Sequence, residues 1–222
     1  MAPITHAFRK QRKEYEKARH AALVEARKGG IWRKKTAWLY CAIEGTFIDL
    51  FFIGHAHEQR TTIRITAKPL KLDSLFWEIC GLPENEREPL SLRANGVFVC
   101  RGLRILEETI EDDADPAVSA AQLLSLADSG AEAAMHRMRS IEFSRLLEIY
   151  AEENDISVHA RFGPTYLMAL ILDRRTDDAL TLIQEQRMGA TKSKVNFVVH
   201  AAGPDDRRDF YDLALAYIAT DR

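Results

Sequence analysis

"TFIDLFFIGHAHEQRTTIRITAK", residues Thr46–Lys68, decides the fold. Its opening run is aromatic and apolar, and its close alternates, with Ile63 and Ile65 on one face and Thr62, Arg64 and Thr66 on the other. Period-two alternation marks a strand with one buried face, while a continuous apolar run bounded by turn residues reads as a more deeply buried strand. The polar stretch between them, Gly54 to Arg60, then reads as a hairpin connection. Upstream, "IWRKKTAWLYCAIEG" is a further β-like run, separated from the first strand only near Glu44-Gly45. The expectation is a three-stranded antiparallel meander whose third strand has one wet, basic face.

Two features of this hairpin raise the question of chemistry. His55 and His57 are two apart, which on a continuous strand puts both imidazoles on one face and permits joint metal coordination. No nearby Asp or His completes a site, so the pair is expected in a loop, with no metal and no cofactor held. Asp49 interrupts "FIDLFF", where a buried carboxylate needs a partner or a cation. Metal-dependent nucleases of the restriction-endonuclease type carry an Asp on one strand and an acid-x-Lys on the next, and "IDL" followed by "TAK" resembles that pattern. Thr66 stands where the family has an acid, which removes a metal ligand and the activation of the attacking water. Asp49 is therefore expected at an edge, or paired with Arg64 or Lys68 across the hairpin.

Downstream, "LDSLFWEICGLP" predicts a helix with Asp73 as N-cap, Leu75, Phe76 and Ile79 inward, and Gly81 and Pro83 at its end. Adjacent helical positions point about 100° apart, so Phe76 and Trp77 are not both expected at the centre of one buried stripe. Trp77 at the rim would be an anchor for a partner. The polar loop "PENEREPLSLRANG" ends in an Asn-Gly turn before "VFVCRGLRIL", read as a fourth strand. "EETIEDDADP", Glu107 to Pro116, is acidic and closed by Pro, and is the expected boundary between an α+β domain over 1–106 and an all-α helical domain over 117–222. Helices are expected at 117–126, 131–153, 165–173, 177–188 and 205–220, with Gly130 among the breaks, while "KVNFVVHAA" is open between helix and strand.

Before the meander, "FRKQRKEYEKARHAALVEARK" is a helix stopped by Gly29-Gly30, docking along the narrow stripe of Phe8, Tyr15, Ala22, Leu23 and Ala26. Met1 to Lys35 hold eleven Lys/Arg against three Asp/Glu, a local charge of +8 in a chain whose net charge is -2. Such an arm suits phosphates or acidic protein surfaces. Three cysteines, Cys41, Cys80 and Cys100, without a Cys-x-x-Cys spacing suggest neither a disulfide framework nor a zinc site. No apolar run approaches membrane-spanning length, and the first twenty residues lack a signal's apolar core, so a cytoplasmic protein is expected. No Gly-x-Ser-x-Gly, Walker loop, dinucleotide fingerprint or His-Glu-x-x-His occurs.

The segment "AKPLKLDSLFWEICGLPENEREPLSLRANGVFV" resembles a signature of uncharacterised bacterial α+β domains of the immunity-like type, over about Gly30 to Leu106. The resemblance implies toxin neutralisation by occlusion and carries no catalytic residues. "YLMALILDRRTDDALTLIQEQ" resembles one tetratricopeptide helical hairpin, with Ala169 and Ala179 small and Arg175 where that family prefers an aromatic. The combined expectation is a non-enzymatic cytosolic protein that binds another protein, immunity-like or adaptor in character. Its candidate contacts are Trp77, Glu84, Glu86, Arg87, Glu88, Arg93 and Asn95. The alternative is a nucleic-acid binder or degenerate metal-dependent nuclease using Arg9, Arg12, Arg19, Asp49, Arg64 and Lys68.

Overall fold

The computed structural model describes residues 6–35, 38–55, 58–96, 98–189, 198–200 and 207–220. It is an α+β fold with an N-terminal helix, a five-stranded antiparallel sheet and C-terminal helices. The chain forms two compact units, 1–67 with 104–137, and 68–103 with 138–222. Each unit is assembled from two segments, whereas the sequence suggested a single cut at 107–116.

In the first unit, helix α1 (His6–Ala26) precedes strands β1 (Arg33–Lys35), β2 (Trp38–Ile43), β3 (Thr46–His55), β4 (Arg60–Pro69) and β5 (Leu103–Glu111), which lie in the sheet in chain order. The run read as one strand before Glu44 is thus two, β1 and β2, paired antiparallel. Glu44 and Gly45 both have positive φ, 46° and 79°. That conformation is what a two-residue hairpin needs to match strand twist. The turn sets the register Ile43↔Thr46 through Trp38↔Phe51, whose rings lie 4.5 Å apart.

Strand β5 starts at Leu103, later than expected, and continues through 107–111, half of the stretch read as a linker. Two of its acids and a threonine have partners on β4: Arg60 reaches Glu111, Thr62 bonds Thr109 at 2.7 Å, and Arg64 holds Glu107 at 2.9 Å. These pairs share one antiparallel register and supply cross-strand stabilisation. The face of β4 expected to be wet and basic is therefore matched by acids and hydroxyls, and Thr62 is buried.

Helix α4 (Pro116–Ser140) is continuous through Gly130, where a break was expected. A glycine within a helix costs about 1 kcal/mol relative to alanine, so close packing is a reason for it to be there. A Cβ at Gly130 would lie 2.0 Å from Ile65 Cδ1, and Ile65 is fully buried. Gly130 thus marks a close approach of α4 to β4. Gly130→Ala is expected to destabilise the protein by roughly 1–3 kcal/mol in urea denaturation, overpacking outweighing helix propensity. Ile65→Val in the same chain removes Cδ1 and should recover part of the loss. A Gly130→Ala protein more stable than the parent would contradict this packing account.

In the second unit, α2 (Leu70–Ile79) is followed by a 3-10 turn (Pro83–Arg87) and the short α3 (Leu92–Asn95). Then come α5 (Phe143–Glu153), α6 (Val158–Phe162), α7 (Pro164–Leu172), α8 (Thr176–Arg187), the strand pair β6 (Val198–His200) and β7 (Arg207–Asp209), and α9 (Phe210–Thr220). Residues Thr165 to Leu170 are all buried, so α7 is the central helix, packed against α2, α5, α6 and α8. A helix apolar all round belongs in such a position. The α7–α8 hairpin forms as expected, and Arg175 bonds Glu148 at 2.7 Å, a carboxylate that also accepts from Tyr166.

Candidate functional site

The second unit contains a buried ionic cluster at the base of the 83–95 segment. Lys68, 2% exposed, donates to Asp73 Oδ1 at 3.0 Å, the Arg93 carbonyl at 2.9 Å and the Cys100 carbonyl at 2.7 Å. An ammonium has three donors, so each has an acceptor. Asp73, 0% exposed, also accepts the Cys100 amide at 2.7 Å, and its Oδ2 lies 2.9 Å from Lys68 Nζ and 3.5 Å from Arg93 Nη1. Arg93 extends the cluster to the Leu70 carbonyl and to Glu86, at 2.8 and 3.0 Å, with its guanidinium 4.5 Å over the Trp77 ring. Trp77 Nε1 donates to the Phe98 carbonyl at 2.6 Å.

This geometry corrects two expectations. The N-cap of α2 is Pro69, and Asp73 lies inside the first turns, so its carboxylate holds two buried cations and a loop amide. Trp77 is 1% exposed, not a rim residue, and Phe76 is buried as well at 2%. Both fit because α2 is covered along a wide arc, Phe76 meeting Phe210 edge-on at 5.1 Å while Trp77 lies under Arg93 and Phe98. Leu75, expected inward, is only half-buried.

Of the proposed contact residues, the structure buries Trp77 and Arg93 and ties the exposed Glu86 to Arg93. Glu84, Arg87 and Glu88 are exposed, and among the described residues none of the three makes an ion pair or side-chain hydrogen bond. Asn95 closes α3, and its side chain lies outside what is described.

The alternative set does not form one exposed basic stripe. Arg12 is buried and Arg19 nearly so, and each lies 2.7 Å from Asp112. They are seven apart on α1 and dock that helix by charge, alongside an expected stripe of which Leu23 is buried, Phe8, Tyr15 and Ala22 are half-buried and Ala26 is exposed. Arg64 is paired with Glu107, whose carboxyl is held down at about 2 by hydrogen bonds from Arg64 and Arg104. Lys68 belongs to the buried cluster, and Arg9 is exposed.

Asp49 is not at an edge, since β3 lies between β2 and β4. It is 8% exposed on β3, opposite Tyr40, and accepts the Thr66 hydroxyl. The residue that departs from the nuclease pattern is thus a partner of Asp49, and the lysine of that pattern is committed to Asp73. Strand β3 includes His55, whose Nε2 lies 2.7 Å from Thr62 Oγ1, while His57 falls outside the described residues. Among the described residues no group of three or more His, Cys, Asp or Glu could hold a metal.

All three cysteines are buried and free, and burial pushes the Cys41 and Cys80 thiols up to about 12 and raises that of Cys100. Such thiols are poor nucleophiles. Among the described residues no helix is long and apolar enough to cross a membrane. No protein family, curated protein or solved structure matches the chain.

Proposed function

We propose that the chain is a non-enzymatic protein-binding protein of the bacterial cytosol, immunity-like or adaptor in character, and that the 83–95 segment is its contact surface. The observation that supports this is the division of labour within the segment. Arg93 and Glu86 tie it to buried Asp73 and Trp77, while Glu84, Arg87 and Glu88 remain exposed and unpaired among the described residues. Charges on a pre-ordered segment lose little conformational entropy on binding and are more effective in recognition than the same charges on a mobile loop. The segment has more acids than bases, which suits a basic patch on the partner.

The test is Glu84→Lys/Glu88→Lys, two exposed substitutions expected to leave the thermal midpoint unchanged. Cross-linking in the native host should recover a partner with the parent protein and at least about tenfold less of it with the variant, as like charges meet. Equal recovery from both proteins would exclude the segment. A second reading, nucleic-acid binding, is favoured by Arg9, Lys10, Lys13 and Lys17, which are exposed on α1. Its sign would be a steep fall of duplex or single-strand affinity with salt, removed by Arg9→Glu/Lys13→Glu/Lys17→Glu. Weak binding only is expected.

A further inference from the structure

The second unit also holds an apolar cavity of about 190 Å³ lined by Phe76, Phe98, Cys100, Phe162 and Pro164, with Arg101 and Arg161 among its lining residues. Two arginines stand beside this apolar lining. Several guanidinium groups elsewhere are matched to acids: Arg12 and Arg19 to Asp112, Arg64 to Glu107, Arg93 to Asp73 and Glu86, Arg175 to Glu148. Arg101 and Arg161 are exposed and have no carboxylate partner among the described residues. The Arg101 side chain is instead directed by a hydrogen bond from Nη1 to the Arg161 carbonyl at 3.1 Å, which leaves its other donors available.

We propose that this cavity binds a small aromatic carboxylate, with the ring among Phe76, Phe98 and Phe162 and the carboxylate held by Arg101 and Arg161. A volume near 190 Å³ accommodates one ring and a short chain, since a dry apolar cavity of about 150 Å³ already admits benzene. Pockets for small ligands combine an apolar lining with a few placed polar groups, and a guanidinium fork matches a carboxylate in plane and spacing.

The walls are held in place before any ligand arrives. The Arg101 amide donates to Thr165 Oγ1 at 2.8 Å, and Thr165 is buried at the start of α7. The Phe98 carbonyl is held by Trp77, with Phe98 itself at φ 60°, a left-handed conformation rare for an aromatic residue. Gly163, also in the lining, makes the turn from α6 into α7 at φ 44°. The proposal is independent of the protein-binding reading, because neither arginine belongs to the 83–95 segment.

The probe is 3-phenylpropionate, titrated into the full-length ¹⁵N-labelled protein. Saturable shifts of the amides of Phe98, Arg101, Phe162, Gly163 and Thr165 are expected, with a dissociation constant below about 1 mM. The neutral 3-phenylpropionamide should bind about tenfold more weakly or worse, and Arg101→Gln and Arg161→Gln should each weaken the carboxylate by a similar factor without moving the thermal midpoint. No saturable shift up to about 10 mM would overturn the proposal, as would equal binding of acid and amide or unchanged binding by the Arg101→Gln/Arg161→Gln double variant.

Discussion

Asp73→Ala is expected to unfold the second unit, or to lower its stability by about 3–5 kcal/mol in guanidinium denaturation, the range for breaking a buried ion pair from one side. The substitution leaves Lys68 and Arg93, 2% and 8% exposed, without the carboxylate between them, and removes the acceptor of the Cys100 amide. Lys68, which cannot reach water, would be left with carbonyl acceptors alone and would retain most of its desolvation cost, while Arg93 would keep only the exposed Glu86. Lys68→Met should cost less, because Asp73 keeps both Arg93 and the Cys100 amide. Lys68→Met/Asp73→Leu should be more stable than Asp73→Ala alone, since removing both charges removes the penalty as well as the attraction. A cost near 1 kcal/mol for Asp73→Ala would return the residue to a helix cap and contradict the cluster.

The same residue shows where the sequence was readable. Asp before an apolar helical stripe is a sound cap signal, and the helix is indeed there, but its start depends on Pro69. Proline fixes its own φ near the helical value and ends a strand, so the helix begins three residues before Asp73. What Asp73 does instead depends on Lys68, Arg93 and Cys100, which lie 5, 20 and 27 positions away and are brought together by the fold. Lys68 gave a partial signal, being a lysine among Ile65, Ala67 and Leu70 where a solvated charge was improbable. The β2–β3 hairpin was legible because turn and alternation are local, and α7–α8 because apolar periodicity is local. Gly130 was misread because a helix-breaking glycine and a helix-packing glycine look alike until Ile65 is opposite it. The acidic 107–111 segment was misread for a similar reason, its cations Arg60 and Arg64 being supplied by β4. Arg101 and Arg161 gave no local signal, since sixty residues separate them and only the α6–α7 turn brings the backbone of one to the side chain of the other.

Trp77→Ala is the second large expected loss, about 3–5 kcal/mol, as for truncating a fully buried aromatic side chain. The cost combines a cavity beneath Arg93, the loss of the ring face 4.5 Å from its guanidinium, and an unsatisfied Phe98 carbonyl. Trp77→Phe separates these contributions. It keeps an aromatic face under the cation and much of the volume, but has no N–H for Phe98, so a cost nearer 1–3 kcal/mol is expected from the orphaned carbonyl and the smaller ring. Amide exchange at 98–101 should be faster in Trp77→Phe than in the parent, because the indole N–H is one of the ties on that loop. The two variants also separate support from contact. With Trp77 1% exposed, Trp77→Phe should retain partner recovery under conditions where it is folded, whereas Glu84→Lys/Glu88→Lys should lose recovery while fully folded. If Trp77→Phe is stable yet loses the partner as completely as the charge reversal does, the tryptophan reaches the interface in the complex and the 83–95 segment is not pre-ordered as described. If Trp77→Ala leaves the thermal midpoint unchanged, the packing of α2 against this loop is wrong.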